Sequence, residues 1–172
     1  MILLSQVSEN QQAFGKKVEE ISSRLGVKPD WLMAAMYKES TLNHRAVNSI
    51  SGATGLIQFM PSTAQQLGTT TAKLREMTNL EQLDYVYKYL RPYRFKFRGF
   101  VDVYLAIFFP VAIGKPDEYV LQTSTLSAKL IADQNQALDT DNSDTITKKE
   151  VETWAVRGFT TEISEMLKKK DL

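Results

Sequence analysis

Apolar residues return every three or four positions through most of this chain, and glycines and prolines cut the pattern into short runs. That period belongs to helices packed on one face, and it excludes a sheet-based fold. After a Ser8/Glu9 start signal, Phe14, Val18, Ile21 and Leu25 form one stripe that stops at Gly26. Pro29 suits a first helical turn and opens a second helix, with Leu32, Ala35, Met36 and Glu39 on neighbouring faces. Glu39 therefore falls near that helix's C-terminal end. Short helices are expected over Ser62–Leu67, closed by Gly68, and over Thr71–Met77. Asn79 is expected to cap a longer one whose inward face carries Leu80, Leu83, Val86, Tyr87 and Leu90. Phe100–Phe109 reads as a buried helix, and Tyr93–Phe97 alternates enough for a short extended piece. Pro116–Leu138, Thr147–Arg157 and Thr160–Lys169 complete the plan. The expected class is mainly α, with residues 1–172 forming a single domain.

Composition narrows the chemistry. With no cysteine and a lone histidine, His44, the chain has no disulfide, no thiolate nucleophile and no ligand set for zinc. A formal net charge of +1 gives no whole-molecule field for nucleic acid or an anionic membrane. The opening Met1-Ile2-Leu3-Leu4 lacks a basic flank, and its apolar run ends at Ser5, short of a signal-peptide core or a membrane span. The expectation is a protein without its own export signal and without membrane insertion. No heptad or repeated interface pattern suggests assembly, so a monomer is expected.

A glutamate near a helix end is ordinarily a solvated surface residue. Here its context is specific. Trp31-Leu32-Met33-Ala34-Ala35-Met36-Tyr37-Lys38 leads into Glu39-Ser40; a polar loop rich in Ser, Thr, Asn and Gly follows, and then Gly55-Leu56-Ile57-Gln58-Phe59-Met60-Pro61-Ser62-Thr63-Ala64. From Val27 to Leu90 this arrangement resembles the lytic transglycosylase (SLT) domain of the goose-type lysozyme superfamily. The resemblance implies a lysozyme-like helical domain with a substrate groove. It also implies cleavage of the β-1,4 bond between N-acetylmuramic acid and N-acetylglucosamine in peptidoglycan, with glycan strands as partner and no cofactor for catalysis.

By the same resemblance Glu39 is the catalytic acid, protonating the leaving oxygen and then, ionised, drawing a proton from the sugar's 6-hydroxyl to leave 1,6-anhydro-muramic acid ends. The role needs a carboxyl group desolvated by neighbours such as Leu56, Phe59 or Met60. Gln58 is expected to hydrogen-bond the sugar, Ser40 to orient Glu39 or contact substrate, and the backbone near Phe59 and Met60 to pair with an N-acetyl group. The family's third motif, Ala-Tyr-Asn before a glycine, finds its best match in Val103-Tyr104-Leu105, which lacks the asparagine and glycine, so Tyr104 is both a groove candidate and a candidate core tyrosine. Hydrolysis by two carboxylates needs a second acid, and none lies between Glu39 and Glu76. This favours the lyase outcome, with a hydrolytic muramidase, or a non-catalytic peptidoglycan-binding or virion structural protein, as the alternatives. A wall-cutting enzyme without an export signal suits a bacteriophage lysis or virion-associated product.

A second constellation follows. Asp139-Thr140-Asp141-Asn142-Ser143-Asp144-Thr145-Ile146-Thr147-Lys148-Lys149-Glu150 keeps the register of an EF-hand loop and resembles one, within a C-terminal helix-loop-helix. Asp139, Asp141, Ser143, the Thr145 carbonyl and Glu150 would supply oxygens, with Thr147 acting through water. Asp144 stands where the motif has glycine, at a point where the backbone turns with positive φ. One such loop is expected to hold a structural Ca2+, against the alternative of an acidic helix-capping loop without metal.

Tyr85–Phe100 interleaves aromatic and basic residues, a composition that also stacks and neutralises single-stranded nucleic acid. A helix with one buried aromatic face explains it equally, and the near-neutral charge favours that reading, with no nucleic-acid partner. His44 is expected to be exposed in its loop, Trp31 and Trp154 to anchor cores, and Lys168–Lys170 to complement a helix terminus.

Overall fold

The computed structural model describes residues 1–169, so Lys170 of the terminal basic run lies outside the described residues. The chain divides into two compact units, one from Met1 to Phe95 and one from Lys96 onward. Among the described residues there is no β-strand; the only pairings of that kind are isolated bridges, Val47–Thr54, Thr54–Phe59 and Val120–Thr147. None of the described helices is long and apolar enough to cross a membrane.

The first unit contains α1 (Gln11–Leu25), α2 (Pro29–Ser40), α3 (Pro61–Gln66), α4 (Thr71–Glu76) and α5 (Asn79–Leu90). The α1 stripe of Phe14, Val18, Ile21 and Leu25 is buried against α2 and α5, and Gly26 ends the helix at φ 73. Pro29 takes the first helical turn of α2, whose Trp31 to Met36 are all buried. The cap of α5 is Thr78 rather than Asn79. Thr78 and Glu81 form a reciprocal capping box, a stronger arrangement than a lone asparagine. Asn79 instead turns inward and donates to the Glu9 carbonyl at 2.7 Å. Leu83, Val86 and Leu90 are buried as the spacing predicts, whereas Tyr87 is half-exposed with the Arg24 guanidinium 3.9 Å above its ring. Tyr93–Phe97 is not extended. Arg91–Tyr93 forms a 3-10 turn, and Phe95, at φ 62, donates its N–H to the Leu25 carbonyl.

The second unit contains α6 (Phe100–Phe108), α7 (Ala128–Gln134), α8 (Lys148–Val156) and α9 (Thr161–Lys168). Pro116–Leu138 is helical only over α7. Upstream of it, Thr123 accepts the Leu126 N–H on its own hydroxyl, a local bond that competes with helix, and Leu121 donates to the Ile146 carbonyl at 2.8 Å. The apolar α6 buries Phe100 to Ala106 against α8 and α9. Its Asp102 is buried with Lys148 of α8, Nζ to Oδ1 2.5 Å.

Candidate active site

Glu39 is the penultimate residue of α2. The helix stops because Thr41 and Leu42 both take left-handed conformations (φ 53 and 62), with the Thr41 N–H closing on the Tyr37 carbonyl at 2.8 Å. The chain then folds back on itself. Asn48 N–H donates to Ala53 O, Thr54 and Phe59 exchange both their backbone bonds, and Gly55 N–H donates to Ala46 O. This brings residues 55–60 back beside the end of α2. The Ser40 hydroxyl, buried, has the Leu56 carbonyl at 2.9 Å and the Met36 carbonyl at 3.1 Å, and so staples the loop to the residue beside Glu39.

The expected groove residues divide by environment. Gln58 sits at φ 53, half-exposed, with its Nε2 donating to the Gly55 carbonyl at 3.1 Å. Phe59 is buried and Met60 is exposed. Both backbone groups of Phe59 are engaged by Thr54. Tyr104 belongs to the second unit, buried with its ring 6.2 Å from Phe108 and 5.8 Å from Trp154. His44 is not exposed. It is 3% accessible, because the loop turns its ring inward, where Nε2 lies 3.1 Å from Glu9 Oε1 and 3.2 Å from Arg45 Nε. Burial holds its pKa below the ordinary value, opposed by the charge of Glu9 and assisted by that of Arg45.

Two residues that the motif does not include come to this site from α5. Tyr89 meets the buried Phe59 edge-on, centroids 6.3 Å apart and rings perpendicular. Its phenol is pushed up to about 12, first by burial, then by Tyr93 and by the charge of Glu39, so it stands within the field of that carboxylate as an un-ionised hydroxyl. Gln82, two helical turns earlier, has its amide wholly buried against the loop. Neither carries a sequence signature, since both sit inside an ordinary amphipathic helix.

Asp139, Asp141 and Glu150 each bring one carboxylate oxygen within 4.8 Å of the others. Asp144 adopts φ 62, the conformation that glycine would take there, with its N–H on Asp139 Oδ2 at 3.0 Å. Ser143 donates its N–H to Asp139 and Asp141, and hydrogen bonds from its hydroxyl and N–H hold Asp141 below the usual carboxylate range. Burial pushes Glu150 up, but hydrogen bonds from Thr147 and Thr140 outweigh it and leave the group below its ordinary value. Ser143 Oγ lies 2.9 Å from Thr145 Oγ1. The set consists of hard oxygen donors, a type that suits calcium.

The family model for the transglycosylase SLT domain matches residues 16–106. The chain belongs to this family. It is a peptidoglycan lytic transglycosylase, a lysozyme-like muralytic enzyme of a family whose chemistry uses no cofactor. The matched span holds the whole of Glu39–Met60 and the α5 residues behind it, and ends before the acidic loop.

Proposed function

We propose that Glu39 is the single general acid and base of this transglycosylase. The observation that carries the reading is the Ser40–Leu56 staple, which holds the motif segment Gly55–Met60 against the end of the helix that bears Glu39, inside the family-matched span. Protonated Glu39 gives its proton to the glycosidic oxygen as the C–O bond to the muramic acid anomeric carbon breaks, with the 2-acetamido oxygen assisting. The glutamate, now a carboxylate, takes the proton of the 6-hydroxyl as that oxygen closes on the anomeric carbon. The proton count balances, and no water is consumed. Gln58, Phe59, Met60 and Ser40 line or support the groove, and Tyr104 is the candidate of the third motif.

The test is mass spectrometry of fragments released from purified peptidoglycan by the native protein and by Glu39→Gln. Fragments ending in 1,6-anhydro-muramic acid, lost in the variant, are expected; reducing ends would make the enzyme a hydrolase, and undiminished release by Glu39→Gln would remove Glu39 from the chemistry.

A structural calcium site at residues 139–150 is the second element of the reading, supported by the three convergent carboxylates and the left-handed Asp144. Asp139, Asp141, Ser143, the Thr145 carbonyl and Glu150 would hold the ion, which would tie the loop to the start of α8. Thermal melts with calcium and with chelator test it: a rise with calcium that Asp141→Asn abolishes is expected, and identical melts would dismiss the site.

A further inference from the structure

Gln82 is 0% exposed, and a primary amide buried that completely must find partners for one acceptor and two N–H donors. It finds three. Oε1 accepts the Leu56 N–H at 3.0 Å, while Nε2 donates to the His44 carbonyl at 2.6 Å and to the Leu74 carbonyl at 2.7 Å. Both N–H groups are used, so the side chain has one orientation. Two of the three partners, His44 and Leu56, lie towards opposite ends of the loop that follows Glu39, a loop whose backbone hydrogen bonds otherwise close largely on itself. The fit is built around the amide. Gly55 sits at φ 83, and a Cβ there would collide with the carboxamide of Gln82, so only glycine lets the chain approach this closely.

Leu56 is then held from both sides: its N–H by Gln82, its carbonyl by the Ser40 hydroxyl next to Glu39. We propose that Gln82 is a positioning residue of the transglycosylase, fixing through Leu56 and Ser40 where the Gly55–Met60 segment stands relative to Glu39. The inference rests on the reading of Glu39 as the acid and base. An apolar side chain of equal size would leave the Leu56 N–H and the His44 carbonyl without the amide's bonds, while the Leu74 carbonyl keeps the Met77 N–H, and the loop regains those bonds by moving out to water. Such a shift carries Gln58 and Met60 away from the helix end without unfolding the helices beneath.

The experiment compares native protein, Gln82→Met, Gln82→Glu and Glu39→Gln on soluble peptidoglycan glycan oligomers, well below each melting temperature, with hydrogen exchange of each protein by mass spectrometry. For Gln82→Met the expected result is a fall in kcat of about 10-fold or more, the equivalent of one lost hydrogen bond in the transition state. KM stays nearly unchanged, the pH profile of kcat is displaced, and exchange accelerates in peptides covering 44–60 but not in α1. Gln82→Glu keeps the acceptor for Leu56 and is expected to retain more of kcat than Gln82→Met, with the deficit shrinking at low pH, where the protonated side chain donates again. A simple loss of stability would lower the folded fraction and leave the pH profile in place. Native kcat and native exchange in both Gln82 variants, with Glu39→Gln inactive, would overturn the role of Gln82 alone. A fully active Glu39→Gln would overturn the reading beneath it as well. Should Gln82→Met not fold, Gln82→Glu decides: a kcat and pH profile equal to the native ones overturn the proposal, and a pH-dependent deficit upholds it.

Discussion

Replacing Lys148 by methionine isolates the energetics of the second unit. Lys148 and Asp102 are 4% and 1% exposed, and the Nζ–Oδ1 distance is 2.5 Å. At an effective dielectric constant of about 20 the gross attraction at that distance is about 7 kcal/mol, most of which offsets the cost of taking both charges out of water. The net worth of the pair is therefore small, but removing one partner is costly, at about 3–5 kcal/mol, because the other charge remains buried. Asp102 keeps two backbone donors, Gly114 N–H to Oδ1 at 3.1 Å and Arg98 N–H to Oδ2 at 2.9 Å. Those bonds place the loss at the lower end, about 3 kcal/mol. With a urea dependence of about 2 kcal/mol per molar, the midpoint falls by about 1.5 M. Trp154, on the same helix as Lys148, reports this unit when Trp31 is replaced by phenylalanine in every protein compared. The double variant Asp102→Asn/Lys148→Met removes the stranded charge and is expected to recover at least half of the loss. A midpoint shift of less than about 0.3 M in Lys148→Met, or losses that simply add in the double variant, would refute the argument that the charge is stranded.

Three further outcomes follow from the first unit. Gly55→Ala combines a left-handed backbone with a collision against Gln82, whereas Gly68→Ala, at φ 80 with open space around it, carries the backbone strain alone. Gly68→Ala is expected to cost about 1 kcal/mol and Gly55→Ala distinctly more in urea unfolding; equal losses would mean that the Gln82 contact yields freely. Tyr89→Phe keeps the ring against Phe59 but loses the un-ionised hydroxyl in the field of Glu39, and kcat is expected to fall by about 10-fold with melting temperature little changed. His44 has a folded pKa below the ordinary 6.5, so the unfolded chain binds more protons and stability falls as pH drops below that value; melts of His44→Gln should show a flatter pH dependence in this range, and an unchanged slope would count against it.

The helices were legible because their determinants are local: a stripe from Phe14 to Leu25, a stop at Gly26, a proline at the start of α2. Where the reading of an element failed, a non-local or reciprocal bond had intervened. Thr78 displaced Asn79 as a cap because Glu81 bonds back to it, and residues upstream of α7 stayed out of helix because Leu121 is drawn to Ile146. Composition marks the loop of His44 as polar and exposed, whereas its burial depends on Glu9 and on the carbonyl bond from Gln82, both remote in sequence.

The same distinction explains what was visible of the candidate site. A carboxyl group at a helix end and a Gly-Leu-x-Gln turn form one short stretch of chain, and their chemistry dictates residue types that stand out there. What holds such a stretch in place is under no comparable restriction. A buried glutamine satisfies backbone groups without any preferred neighbours in sequence, and a tyrosine inside an amphipathic helix looks like packing. Gln82 and Tyr89 lie about one and three helical turns into α5, on the side turned to Leu56 and Phe59, and only the folded chain joins them to Glu39. Positioning groups of this kind are found by asking where every buried polar atom is bonded. Here the bonds run from one amide, through Leu56 and Ser40, to the end of the helix that carries Glu39.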